Sequence, residues 1–516
     1  MKTPSLSLIA GAAALAAVTA FAALTAPDGT ADAGPAKAAA RLPVERTSLL
    51  CPSPGLSPLA ETTYTAFTPA GGSGGPAGSA DLHKSASADL DDGKKDDGKK
   101  GDGKKDDGKD KEKKDAPGKP VVALEEPGKP VTAEASGAGS PALVGTATGR
   151  LAPGWAAQET TVVEAGAGRG LLGVSCTAPD TGFWIPAAST AKSREDYVHL
   201  TNPDDTAAVA DIELYGPEGS LKSDVGEGIT VPARSSVPVL ISTLTSQAAD
   251  DVTVHVTTRT GRVAAVVRAS DETAGSDWLS ASTGPTDTLV LPGIPSDATS
   301  VRLVAFAPGD DDADLKVRLL GKTGAISPVG HDSLHVKSRM TASVDLKDLT
   351  KGEAGSLLLT PVRSGKRTPV VAALQVVRGS GDKQEIAYIP ATGPVGERAT
   401  VADNRDKGST LSLTAPTADA TVKVTASAGS KGGEQTVKKY TVKAGTTLAV
   451  TPPVPSGLKG GYALTVETES GGPVHAARTL ALPKGGIPMF TVQTLPDDRS
   501  TVEVPAARQD LSVLDE

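Results

Sequence analysis

Beyond residue 190 the same succession of landmarks comes round three times, which commits that part of the chain to tandem copies of one unit. Each copy holds an apolar run ending at a dipeptide with proline, and later a second apolar run closed by arginine. The first runs are Tyr197-Val198-His199-Leu200 before Asn202-Pro203, Val301 to Phe306 before Ala307-Pro308, and Leu411-Ser412-Leu413 before Ala415-Pro416. The second runs end at Arg268, Arg378 and Arg478, which follow those prolines by 65, 70 and 62 residues. Between the landmarks, apolar residues alternate with polar ones, as in Val209-Ala210-Asp211-Ile212-Glu213-Leu214 and Leu315-Lys316-Val317-Arg318-Leu319. A period of two marks strands with one face buried and the other wet. With Gly216, Gly261, Gly321 and Gly445 punctuating the runs, about seven short strands per unit predict an all-β chain of tandem, antiparallel, immunoglobulin-like β-sandwiches.

The expected sandwiches span 191–287, 288–398 and 399–510. Short apolar runs at Trp184-Ile185-Pro186, Val290-Leu291-Pro292, Thr400-Val401-Ala402 and Glu503-Val504-Pro505 are expected to pass from one domain to the next and stiffen the units into a row. Ahead of them, strand-like runs such as Thr160-Thr161-Val162-Val163 and Leu171-Leu172-Gly173-Val174 point to one more β domain, built from 41–67 plus 141–190.

What interrupts that domain, 68–140, changes composition. Gly71-Gly72-Ser73-Gly74-Gly75-Pro76 opens it, and Asp91 to Pro120 repeats variants of Asp-Asp-Gly-Lys-Lys. Nothing apolar recurs there at a useful period, so ordering it would cost backbone entropy with little to bury; a disordered linker is expected. Asp89-Leu90-Asp91-Asp92-Gly93 begins like a calcium loop, but its carboxylates miss the alternate spacing and lysines follow at once. The chain has two cysteines, Cys51 and Cys176, one on each side of this tract. They read as a disulfide if the chain meets an oxidising compartment, and otherwise as two unrelated buried thiols.

The N-terminus bears on that choice. Met1-Lys2-Thr3-Pro4 precedes an uncharged apolar stretch from Leu6 to Leu24, and Ala31-Asp32-Ala33 offers a small-x-small cleavage site. Residues 1–33 therefore read as a signal peptide or an N-terminal membrane anchor, with the bulk of the chain outside the cytoplasm in either case. No comparable apolar run follows, so contact with a membrane is expected only through this segment. A formal charge of -9 and a sequence pI ≈ 5.4 argue against a nucleic-acid partner.

The chemical motifs fare poorly. Gly168-Arg169-Gly170-Leu171-Leu172-Gly173 matches a dinucleotide fingerprint, which works only if a helix follows, and Pro179 and Gly182 come too soon for one. Gly71-Gly72-Ser73-Gly74-Gly75 has the spacing of a hydrolase nucleophile elbow without its strand and helix. His199 and His255 stand in alternating strands and are expected to face solvent. His331 and His335 lie four apart but on a strand-like run, and Asp310, Asp311, Asp312 and Asp314 read as a solvated acidic turn. Neither a metal nor a cofactor is expected, and no catalytic residue is assigned. Phe183, Trp184, Trp278, Tyr388 and Phe490 cluster near domain ends, where packing accounts for them. Arg268, Arg378 and Arg478 are candidates to grip an acidic polymer if they face one side of the array, with a repeated structural ion pair as the alternative.

The leader, the mixed-charge tract and the tandem units with Asn202-Pro203 and Val263-Ala264-Ala265-Val266-Val267-Arg268 resemble an uncharacterised family of exported actinobacterial proteins, a domain of unknown function, over roughly 140–510. The resemblance implies an envelope-associated protein without an assigned activity. The expectation is a non-enzymatic scaffold or binding module outside the membrane, with envelope glycan or an envelope protein as partner. An accessory factor or enzyme of envelope polysaccharide assembly is the alternative.

Overall fold

The computed structural model describes residues 40–505 except 56, 72–75, 88–117, 167, 224, 364 and 366. The leader and the charged core of the linker lie outside the described residues. Strands Ala40–Pro43 and Thr501–Val504 form a two-stranded sheet of their own. Residues 43–501 make one compact unit of sheets that are antiparallel except where Ala86–Ser87 joins Ser235–Leu240 in parallel, and the described residues form no helix longer than a single 3-10 turn.

That unit contains four sandwiches, I to IV, covering about 46–175, 182–279, 289–390 and 398–494. Numbering the sandwich strands of each from one to eight, and setting aside Ala86–Ser87 and the separate pair Gly432–Glu434 with Ser456–Lys459 in IV, one sheet runs 1-6-3-4 and the other 5-2-7-8 in every copy. In sandwich I these are Arg46–Cys51, Leu143–Thr148, Ala80–Lys84 and Val122–Leu124 against Val131–Ser136, Ala60–Phe67, Ala156–Val163 and Gly170–Ser175. The fourth strand is split in two in II and III, as Gly219–Leu221 with Ile229–Val231 and as Ala325–Ile326 with Ser333–Val336. An immunoglobulin domain keeps its first two strands in one sheet. Here they lie in different sheets, so the all-β sandwich reading holds while the immunoglobulin label does not describe this strand order.

Sandwich I is thus a fourth copy, and much of 68–140 belongs to it. Ala80–Lys84, Val122–Leu124 and Val131–Ser136 are three of its eight strands, with Ala80, Leu82, Val122 and Leu124 in the core beside Tyr64, Leu143 and Trp155. The expected linker shrinks to a segment between the third and fourth strands. Its error lay at the edges, where strands of three to six residues were too short to register against the Gly, Asp and Lys around them. Cys51 and Cys176 are bonded within the core of sandwich I, 125 residues apart.

The expected junction runs also move. Gly182–Ala188, Leu289–Ile294 and Arg398–Asn404 are the first strands of II, III and IV, each paired with the sixth strand and each broken by a bulge. The bulge consumes the kink that, in sequence, looks like a domain boundary. In II it places Ala187 at φ 79, and in III Gly293 at φ 93.

The four copies do not form a row. The eighth strands Gly170–Ser175, Gly275–Leu279, Glu385–Pro390 and Phe490–Thr494 each touch the next, and the last returns to the first, closing a ring about a common hub. Each seam is apolar. Val163, Leu172 and Val174 of I meet Val266 and Trp278 of II. Val304, Ala373, Ile386 and Tyr388 of III join the core of II, while Ala477, Phe490 and Val492 of IV join that of III. The ring closes where Leu171 of I packs on Leu480 and Met489 of IV, and Phe67 of I on Ala402 and Ala463. The second sheet face, which alternation marks as wet, is therefore largely an inter-sandwich face.

Candidate functional site: the hub and the closing seam

The hub gathers ionisable groups that no single sandwich could satisfy. The Asp277 carboxylate of II accepts hydrogen bonds from the Gly173 amide of I at 3.0 Å and from the Thr491 hydroxyl of IV at 3.0 Å. The Glu385 carboxylate of III accepts from the Leu171 amide at 2.8 Å and from Arg169 Nη1 at 3.0 Å, both from I. Arg169 also donates to the carbonyls of Gln384 at 2.8 Å and Thr273 at 3.3 Å, so one side chain ties I to II and III. Burial lifts the Glu385 carboxyl to about 7 in spite of these donors, and pushes Asp277 well above the usual carboxylate range.

Gly170 and Gly173 of the fingerprint-like run explain themselves here. A Cβ at Gly170 would stand 2.2 Å from the Ser276 carbonyl, and one at Gly173 2.2 Å from Gln493 Nε2. The run is a strand that must let its neighbours in, and no helix follows it.

The three arginines do not share a position. Ala264, Val371 and His475 are equivalent, each paired with the residue just before its proline dipeptide. Counted from there Arg268 is fifth, Arg378 eighth and Arg478 fourth. Arg268 is largely covered and lies over the Tyr197 ring at 5.0 Å. Arg378 pairs with Asp297 and covers the Phe490 ring at 4.8 Å. Arg478 is fully buried and its guanidinium meets no hydrogen-bond partner in the protein. An array that grips a polymer needs equivalent exposed cations, so this candidate site is withdrawn. Spacings that differed by up to eight residues were the sign that the arginines were not in register.

The fourth position itself is informative. It holds Glu159 in I, Val267 in II, Leu374 in III and Arg478 in IV, all turned into the sandwich interior. Glu159 is fully buried, its carboxyl oxygens unpartnered and its proton held by desolvation well above the ordinary range. Burial lowers Arg478 to about 10.

His199, expected in solvent, is buried at the seam of I and II, edge-on to Trp278 with ring centroids 5.1 Å apart. Neither ring nitrogen has a partner, and desolvation, with Arg268 nearby, brings it down to about 3. His255 stacks on Trp184 at 3.5 Å and bonds Glu213 Oε2 at 2.9 Å. His335 bonds Asp314 at 2.8 Å, Arg339 pairs with Asp310, and the Asp312 carboxylate caps the Ser338 amide, so the acidic turn is internally paired. Among the described residues no three His, Cys, Asp or Glu side chains come together to hold a metal ion.

A cleft of about 420 Å³ opens on the closing seam. Thr63, Thr132 and Glu134 of I form one wall. Asp403, Arg405, Asp406, Ser430, Lys431, Leu458 and the glycines Gly460 and Gly461 of IV form the other. Asp403 and Arg405 pair with each other at 2.9 Å, and the Asp403 amide is held by Gln158 of I. Ser430 Oγ is buried without a partner. The walls carry hydroxyls, three carboxylates (Glu134, Asp403 and Asp406) and two cations (Arg405 and Lys431), which suits a polar occupant.

A family model described as a family of unknown function (DUF5719) matches residues 131–453. No curated protein matches the chain. The matched span opens at the fifth strand of I and closes just past the fifth strand of IV, so it cuts through the two sandwiches that form the closing seam and leaves Phe67, Ala463, Leu480 and Met489 of that seam outside.

Proposed function

The chain belongs to the DUF5719 family, whose function is unknown, and we propose that it is a non-enzymatic binding scaffold displayed on the outside of the cell membrane. The observation that carries this reading is the closed ring. Four apolar seams and a shared hub hold the sandwiches together, while the fourth strands and their turns stand at the free ends of their sheets, available for contact with a partner. The disulfide supports an oxidising compartment, and residues 1–33 would deliver the chain there. Envelope glycan or an envelope protein is the partner on this reading, and nucleic acid is not.

The test is fractionation of cells producing the full chain, followed by maleimide labelling and retention on purified envelope material. The reading expects the protein outside the cytoplasm, with Cys51 and Cys176 unreactive, and retained on the envelope fraction. A cytoplasmic protein with two reactive thiols would overturn it.

A further inference from the structure

In three of the four seams the fifth strand of one sandwich is engaged by the end of the third strand, or the turn just after it, of the sandwich before it. Ser235–Leu240 of II takes Ala86–Ser87 of I as a parallel added strand, secured by the Ser85 hydroxyl and the Ala86 amide on the Arg234 carbonyl at 2.8 and 3.0 Å. Thr341 of III donates its hydroxyl to the Tyr215 carbonyl of II at 2.7 Å. The Thr447 amide of IV donates to the Gly321 carbonyl of III at 2.9 Å. At the closing seam the counterpart is strand Val131–Ser136, and there the 420 Å³ cleft takes the place of the contact.

That strand is the end of its sheet. The Gly137 amide bonds the Ala60 carbonyl at 2.9 Å, which fixes the alternation of the ladder. Val131, Ala133 and Ala135 spend their amides and carbonyls on strand Ala60–Phe67, while those of Thr132, Glu134 and Ser136 point outward. Thr132 and Glu134 line the cleft. The same logic in II, set by the Asn202 amide on the Ser235 carbonyl, turns Ser236 outward, where it pairs with Ser87. The next outward position there is Pro238, which has no N–H and ends the added ladder after two residues. Its equivalent in I is Thr132, which keeps its donor.

We propose that the edge Thr132–Ser136 in the closing-seam cleft binds an extended peptide as an added strand, parallel to it as Ala86–Ser87 is to Ser235–Ser236. Main-chain hydrogen bonds to Thr132 and Glu134 supply the affinity. The side chains facing IV must be small, as they are in Ser85-Ala86-Ser87, because Ser430, Lys431, Gly460 and Gly461 stand opposite. This names the partner class for the scaffold reading, yet it concerns purified protein and is independent of where the cell puts it.

The probe is a fluorescein-labelled Ser-Ala-Ser-Ala-Ser-Ala peptide titrated into the full chain, with amide hydrogen exchange read on the same complex. Saturable binding that protects the Thr132 and Glu134 amides is expected. Thr132→Pro removes an outward donor without touching the ladder to Ala60–Phe67, and should weaken binding at least tenfold. Gly461→Phe projects a ring into the cleft from a position with its nearest neighbours at 3.4 Å, and should do the same even if the proline variant fails to fold. No binding up to millimolar peptide, binding unaltered by Gly461→Phe, or a chito-oligosaccharide occupying the cleft while the peptide does not, would each overturn the proposal.

Discussion

A guanidinium buried without a hydrogen-bond partner is among the costliest arrangements a core can hold, and Arg478 is one. Its equivalents Val267 and Leu374 show what the position accepts when it is apolar. Arg478→Leu should therefore stabilise the protein, by about 1–4 kcal/mol, read as a raised midpoint in urea. His199 makes the same point through pH. Its folded-state pKa of about 3 is depressed below the ordinary 6.5, so the neutral ring's contribution to stability is present above 6.5 and lost as pH falls toward 3. Each pH unit in that window costs about 1.4 kcal/mol. His199→Leu should flatten the acid limb relative to wild type between pH 6.5 and 4, and an unchanged slope would contradict the burial. At the hub, Arg169→Ala removes the charge-assisted bonds that tie I to II and III and should cost about 1–3 kcal/mol, read by urea unfolding.

Single residues were where sequence reading did least well. Alternation correctly turned Val198 and Leu200 inward, but it could not tell that the opposite face of His199 meets another sandwich rather than water. Nothing local marks a strand face as inter-sandwich, since a seam residue and a surface residue occupy the same phase of the same period. Glu159 and Arg478 were equally opaque, because charged residues in strands ordinarily face solvent.

At the level of elements the repeat was legible, because proline dipeptides stop strands wherever they occur. The fourth copy went unseen for a physical reason. Thr68-Pro69 ends the second strand of I just as Asn202-Pro203 does in II, but the charged insert stretches the step between these prolines to 134 residues, against 105 and 108 for the others. The disulfide compensates for that insert by closing a long loop inside one sandwich. Replacing both cysteines with serine should cost about 3–5 kcal/mol, visible as a lower melting temperature under non-reducing conditions. The bulge in the first strands offers a finer test. Ala187 holds φ 79 where III has Gly293, so Ala187→Gly should stabilise by up to about 1 kcal/mol. Gly293→Ala should destabilise, because its Cβ would meet that of Ala477 at 2.8 Å.

For the whole molecule, sequence order suggested a row and the structure closes it. The reason lies in the eighth strands. An open row would leave the Leu171 side of I and the Met489 side of IV as bare apolar faces, together with Phe67, Ala402 and Ala463. Bringing sandwich I against IV removes all of them from water at once, and the hydrogen bonds that the Asp277 carboxylate accepts from Gly173 and Thr491 require three sandwiches to be present together. The most direct test of ring closure is zero-length carbodiimide cross-linking of the full chain followed by peptide mass spectrometry. Lys484 of IV and Glu164 of I form an exposed ion pair across the closing seam, 320 residues apart. The ring predicts a cross-linked Lys484–Glu164 peptide in monomeric protein. Cross-links confined to sequence-adjacent sandwiches, with none joining I to IV, would contradict it.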